Sequence, residues 1–258
     1  MHNGTPHDPS GKAEMSTILV TGGSRGLGLG IARRLAASGY RVVAVARKTS
    51  KPLEAAIEEA AQAGAGALHF IPFDLGDIKS VPSLIQRIRK EFGPIYGLIN
   101  NAAIGTDGAL AIMHNSQIEE LVRINTVAPI VLTKYVVRSM LSEGGGRIVN
   151  VASIIGFTGY SGLSVYGATK ASMLGFTKSL AREVGRHGVN VNAVAPGFIA
   201  TDMTKGLDEE QRGQVARRSA LRRLPEADDV ANAVEFLLGD KAKNITGTVL
   251  TVDAGSTA

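Results

Sequence analysis

The chain predicts an α/β fold: a single domain built on one doubly wound parallel sheet with helices on both faces. Three observations predict it. Short β-branched runs alternate with segments of helical periodicity almost to the C-terminus. The first run passes directly into a glycine cluster, Gly22, Gly26 and Gly28, that opens a helix. A length of 258 residues with 44% hydrophobic and 20% charged content suits one self-sufficient core, and α/β chains this long are routinely single domains.

Each element follows from local pattern. Thr17–Thr21 is a short β-rich strand, and Gly26–Ser38 has helical spacing that stops at Gly39. Arg41–Ala46 is the second strand; Pro52–Ala63, rich in alanine and glutamate with proline at its start, is the second helix. Ala67–Pro72, Ile78–Phe92 and Ile95–Asn100 continue as strand, helix, strand. A helical region then runs to about Leu141, interrupted near Pro129. Arg147–Ala152 is a strand, Ser164–Arg186 a long helix, and Val189–Ala195 a strand. The rhythm breaks from Pro196 to about Pro225, a polar, arginine-rich insertion of the length that lids and binding segments have; its lid portion is placed at about 198–225. Glu226–Leu238 and Thr248–Val252 close the pattern as helix and strand. Residues 1–14 mix His, Asn, Pro, Asp and Lys without an apolar core, so they read as a disordered leader, not a secretion signal, before a catalytic domain spanning 15–258.

Composition removes several function classes. With no cysteine there is no disulfide, thiolate nucleophile or cysteine-bound zinc, and the five histidines show no paired helical spacing, so no metal site is expected. Redox work would then need an organic cofactor. No apolar run approaches the roughly 18 residues of a membrane helix, so no membrane partner is expected and the location reads as cytoplasmic. A net charge of +5 suits anionic small molecules or an acidic partner. Nucleic acid is not expected, because no recognition motif accompanies the charge.

The glycine cluster reads Thr21-Gly-Gly-Ser-Arg-Gly-Leu-Gly28. Small residues at Gly22, Gly26 and Gly28, with Ser24, Arg25 and Leu27 between them, let backbone approach a pyrophosphate that the helix N-terminus attracts. Without a ligand the same residues make a tight strand-to-helix turn. Proteins that bind NAD set an acidic residue after the second strand, whereas NADP binders use arginine for the 2′-phosphate. No acidic residue occurs between Leu29 and Leu53; the strand ends in Arg47 and Lys48, and Arg25 lies inside the loop. NADP(H) is the expected cofactor. Asp74 and Leu75 follow the third strand, where Asp74 can accept from an adenine amino group. Asn100, Asn101 and Ala102 follow the fourth, at the carboxyl edge where doubly wound sheets bind ligands, although an Asn pair is also a turn former.

Tyr166 and Lys170 stand four apart on the long helix and so share a face. A nearby ammonium favours phenolate, so Lys170 is expected to lower the Tyr166 pKa and let it exchange a proton with a carbonyl or alcohol oxygen as hydride moves. Ser153 precedes Tyr166 by thirteen residues.

Together these segments resemble the short-chain dehydrogenases/reductases over roughly residues 15–258. The glycine segment (21–28), Asn-Asn-Ala (100–102), Asn125, Ser153, Tyr-x-x-x-Lys (166–170) and Pro196-Gly197 occur in the family's order; Ala103 stands where the family usually has glycine. The resemblance implies a Rossmann-type fold and a homotetramer. It implies that Tyr166 is the proton donor in reduction and that Lys170 lowers its pKa and holds the nicotinamide ribose. Ser153 would bind the substrate oxygen, and Asn125, in an irregular helical turn, would hold a water linked to Lys170. Ile199 and Thr201, beyond Pro196 and Gly197, would touch the carboxamide. The stretch 192–204 and Asn244-Ile-Thr-Gly247 are most similar to the 3-oxoacyl-[acyl carrier protein] reductase branch, which implies a carbonyl substrate carried on acyl carrier protein. Gly144 and His187 stand where that branch has basic docking residues, with Arg147 and Arg186 as nearby substitutes. A small diffusible ketone or alcohol, and a non-catalytic NADP-binding scaffold, remain as alternative readings.

Overall fold

Strands buried on both faces must be apolar nearly throughout, and those at the centre of this sheet are. The computed structural model describes residues 15–199 and 209–258. Within them, β1 (Thr17–Thr21) and β6 (Val189–Pro196) are buried at every position, and β2 (Arg41–Ala46) and β4 (Ile95–Asn100) at most. With β3 (Ala67–Pro72), β5 (Gly146–Val151) and β7 (Val249–Val252) they form one sheet in the order β3-β2-β1-β4-β5-β6-β7. Every neighbouring pair is parallel. Strand order reverses between β1 and β4, and ligands bind at the carboxyl ends beside such a reversal.

Helices cover both faces. On one, α1 (Gly26–Ala37), α2 (Lys51–Ala63) and α8 (Ala227–Leu238) bury Leu29, Ile31, Leu35, Leu53, Val230 and Val234 against the sheet. On the other, α3 (Val81–Phe92), α5 (Ala128–Glu143) and α6 (Ser164–Val184) bury Leu84, Ile88, Leu132, Val136, Met140 and Leu180. Each fully buried aliphatic side chain contributes roughly 1.5–3 kcal/mol, so both layers hold the sheet firmly and its carboxyl edge becomes a rigid platform.

Most expected boundaries stand within one or two residues. α2 begins one residue early because Ser50 caps it, its side chain accepting from the Leu53 N–H. Glu226 is the N-cap of α8, not its first residue. The long insertion contains a helix, α7 (Glu209–Arg218), with Arg217 and Arg218 in its last turn.

The expected break near Pro129 lies just upstream of it. α4 (Asn115–Val122) passes into a single π turn at Arg123–Val127 before α5 begins. In an α-helix residue 129 would donate to the Asn125 carbonyl, but proline has no N–H. The ladder loosens there, and such π turns recur at functional sites.

A buried polar chain crosses the sheet below the carboxyl edge. Asn100 and Asn150 are register partners on β4 and β5, and the Asn100 amide donates to Asn150 Oδ1 at 2.9 Å. Asn150 in turn donates to Thr177 of α6 at 2.8 Å. Buried amide donors paired in this way favour one register, because a one-residue slip would orphan them, although Asn100 Oδ1 itself is left without a partner.

Candidate active site

Three loops at the carboxyl ends of β1, β4 and β5 build the site. The β1 loop is shaped by its glycines: Gly22 and Gly26 adopt φ of +68° and +54°, which disfavour any side chain. A methyl group at Gly28 would collide with the Gly22 carbonyl and the Asn101 amide. Helix α1 therefore starts flush against the loop. No side chain caps its N-terminus, and no acidic residue occupies its first turn. That leaves an uncapped, partly positive helix end facing open space, which attracts a phosphate.

Polar ties hold this loop to the β4 loop. The Asn101 amide donates to the Thr21 carbonyl at 2.9 Å, while the Asn101 and Ala102 N–H groups both donate to Thr21 Oγ1 at 3.0 Å. On the other side Ser50 Oγ donates to the Ser24 carbonyl at 2.5 Å. Arg25, within the loop, and Arg47 and Lys48, just beyond the end of β2, are all exposed. Asp74 is exposed at the end of β3, with one carboxylate oxygen spent on the Gly76 N–H; Leu75 is half-buried beside it.

The β5 loop carries Ser153, which caps the short turn Ile154–Gly156 by accepting from the Ile155 N–H at 3.2 Å. Gly156 lies so close to the α6 backbone that a Cβ there would sit 3.0 Å from the Lys170 carbonyl carbon, and one at Gly167 would sit 3.1 Å from the Ile155 carbonyl oxygen. These close approaches bring the start of α6 against the turn, and the Ser153 and Tyr166 side chains hydrogen-bond. Lys170 is 4% exposed; its ammonium donates to the Val151 carbonyl at 2.9 Å and lies 5.7 Å from the centre of the Tyr166 ring.

The expected direction of the Tyr166 shift is reversed. Burial raises the phenol above its ordinary value of 10.0, and the Ser153 hydrogen bond, which lowers it, is the smaller influence. Lys170 is itself drawn down to about 8 by burial. The spacing argument placed the cation correctly beside the ring, but the ammonium is directed at the Val151 carbonyl and both groups are desolvated. Ser153 is thus the group that favours phenolate here.

Asn125 sits in the π turn, 2% exposed. Its amide donates to the Ile104 carbonyl at 2.8 Å and to Thr169 Oγ1 at 3.2 Å, and its Oδ1 accepts from the Ile104 N–H at 2.9 Å. The side chain is consumed in tying the β4 loop to α6. Its main-chain carbonyl lacks the usual α-helical donor because residue 129 is proline.

Pro196 ends β6, and Gly197 donates to the Val252 carbonyl at 2.9 Å while packing directly on Asp253. Ile199 is buried; Thr201 and the lid residues 200–208 lie outside the described residues. Three supporting residues were missed. Thr169 and Ser50 had local signals, one adjoining Lys170 and the other a serine just before a proline-started helix. Asp253, which accepts from Gly255 and Thr257, showed itself only as an Asp-x-Gly turn.

Arg147 is not a free surface cation beside this site. It lies at the amino end of β5, stacked 5.7 Å from the Tyr96 ring and donating to the Gly146 carbonyl. Arg186 and His187 are exposed near the amino end of β6 and hydrogen-bond to each other. Neither is near Ser153 within the subunit.

With this geometry in view, the chain was compared with known proteins. The family described as short chain dehydrogenase matches residues 16–212. The chain is 41% identical over 242 residues to the 3-oxoacyl-[acyl-carrier-protein] reductase FabG of Escherichia coli K12, covering 94% of this chain and 97% of that protein. It is 38% identical over 239 residues to FabG of Staphylococcus aureus Mu50, covering 93% and 97%. Among solved structures it is similar to a short chain dehydrogenase from Burkholderia cenocepacia J2315 in complex with NADP, with a TM-score of 0.87 and 35% identity over 94% of this chain and 98% of that one. A Serratia marcescens short-chain dehydrogenase/reductase aligns with a TM-score of 0.88 and 29% identity, covering 94% and 98%.

Proposed function

The chain belongs to the short-chain dehydrogenase family, and on that premise we propose that it is an NADPH-dependent reductase converting 3-oxoacyl thioesters to their 3-hydroxyacyl forms. The observation that carries this reading is the meeting of Ser153, Tyr166, Lys170 and Asn125 at the carboxyl edge, beside an uncapped helix N-terminus ringed by Arg25, Arg47 and Lys48. The identity to FabG proteins over nearly the whole chain supports the choice of substrate.

The residues present fit NADP(H). Gly22, Ser24, Gly26, Leu27 and Gly28 hold its pyrophosphate against α1; Arg25, Arg47 and Lys48 neutralise its 2′-phosphate; Asp74, Leu75, Asn101 and Ala102 flank its adenosine. Pro196, Gly197 and Ile199 would border the nicotinamide. When bound, the cofactor supplies the hydride that the carbonyl carbon accepts.

The chain's own groups handle the oxygen. Ser153 donates to the carbonyl oxygen and holds it beside the phenol. Tyr166, kept protonated by burial, gives its proton to that oxygen as the negative charge develops. Lys170 stabilises the resulting phenolate electrostatically, and Asn125 keeps the β4 loop fixed to α6 so that the three groups stay in register.

Assembly into a homotetramer is part of the proposal. α5 and α6 leave a groove whose lining holds Ile130, Val137, Leu141, Phe176 and Leu180 and also carries Lys134, Arg138, Glu183 and Arg186, a mixed surface of the kind a second copy can cover. The FabG relatives are named as reductases of acyl-carrier-protein substrates, which supports a carrier-borne thioester; a small diffusible substrate is the alternative.

The test is NADPH and NADH oxidation measured in parallel with 3-oxoacyl thioesters, free and carrier-bound, and with a panel of small ketones. Thioester turnover with a preference for NADPH is the expected result. Turnover of ketones alone would replace the substrate class, and tight NADPH binding with no turnover would make the protein a scaffold.

A further inference from the structure

Four of the large apolar side chains left exposed among the described residues lie on the two loops that frame the site. Leu110 is 55% and Ile112 81% exposed on the β4 loop; Phe157 is 49% and Tyr160 56% exposed on the β5 loop. Exposed aliphatic and aromatic groups scattered singly need no explanation, but a cluster beside a site does.

The two loops act as one surface. The Gly108 N–H donates to the Gly162 carbonyl at 3.0 Å, which joins them edge to edge. The β4 loop is pinned again at Ile104 by Asn125, and the β5 loop by Ser153 at its start. Charge is nearly absent from this surface. Between Asn101 and Met113 only Asp107 is charged, and between Ala152 and Thr169 nothing is, in a chain where 20% of residues are. An alkyl chain leaving the carbonyl would meet no charged side chain but Asp107 along these loops, whose other polar groups are neutral hydroxyls and amides.

We propose that Leu110, Ile112, Phe157 and Tyr160 form an apolar rim that receives the acyl tail of the substrate and selects medium and long chains over short ones. The inference rests on the reductase reading, since the tail enters the rim only when the carbonyl lies against Ser153 and Tyr166. Selectivity arises because each added methylene taken from water contributes a binding increment worth about two- to fourfold until the rim is filled.

The experiment compares the wild-type protein with Ile112→Ser and Phe157→Ser. Butanoyl, octanoyl and dodecanoyl 3-oxo substrates are supplied both as N-acetylcysteamine thioesters and as simple ethyl esters. Light scattering follows the oligomeric state. The expected result is a wild-type kcat/KM that climbs with chain length and a slope flattened in both variants. Activity on the butanoyl substrate should stay within about twofold, and that on the dodecanoyl substrate should fall about tenfold, with the oligomer intact. A slope unchanged by the substitutions would overturn the proposal. So would an equal loss at every length accompanied by dissociation, which would make the rim a contact between copies. If the thioesters are inert while the esters turn over, the thioester reading fails by itself and the ester series still judges the rim.

Discussion

The Lys170 ammonium, 4% exposed, donates to the Val151 carbonyl 2.9 Å away. A strand-end carbonyl therefore fixes a buried cation at the floor of the site, and one consequence of its burial is measurable in the protein without substrate.

Lys170 falls from 10.5 to about 8 on folding. Below pH 8 the folded protein carries the full cost of keeping this buried amine charged. Between pH 8 and 10.5 the unfolded chain holds a proton that the folded one has released, so raising the pH stabilises the fold. At about 1.4 kcal/mol per pKa unit the gain is roughly 3 kcal/mol. Urea unfolding at pH 7.5 and 10 should show wild-type stability rising relative to Lys170→Met by an amount of that order.

Pro129 withholds the N–H that would bond to the Asn125 carbonyl in an α-helix. Pro129→Ala restores that donor and lets the π turn relax towards regular helix. The expected outcome is a lower kcat with NADPH affinity unchanged, checked by steady-state kinetics beside fluorescence titration of the cofactor.

Gly28 has no room for a methyl group between the Gly22 carbonyl and the Asn101 amide. Gly28→Ala must push the glycine loop off α1. NADPH affinity should fall by at least about tenfold and stability by roughly 1–3 kcal/mol, read by calorimetric titration and thermal unfolding.

Arg47 and Lys48 are exposed at the end of β2. A charge-assisted bond contributes about 1.5–3 kcal/mol, so Arg47→Ala with Lys48→Ala should raise the NADPH KM about 10- to 100-fold. The NADH value should hardly move, and the salt dependence of NADPH binding should flatten.

Strands and most helix limits were legible because β-branched runs stop at glycine or proline within a few residues. The chemical groups were legible because Tyr166 and Lys170, or Gly22 and Gly28, are spaced by local geometry. What was hidden joins residues far apart in the chain. Nothing near Asn125 announces that its side chain is spent on Ile104 and Thr169, and nothing near Gly197 announces Asp253 beneath it. The sign of the Tyr166 shift was hidden too, because it depends on the burial of the whole site and on where the Lys170 ammonium is directed, not on the spacing of the pair.

The central claim is that the Tyr166 phenol, bonded to Ser153 and backed by Lys170, delivers the proton during reduction. Tyr166→Phe tests it most directly, with NADPH oxidation on a 3-oxoacyl thioester and NADPH binding measured on the same preparation. The expected result is a kcat lower by about 10²–10⁴ with the dissociation constant for NADPH within about twofold; turnover at the wild-type rate would contradict the assignment.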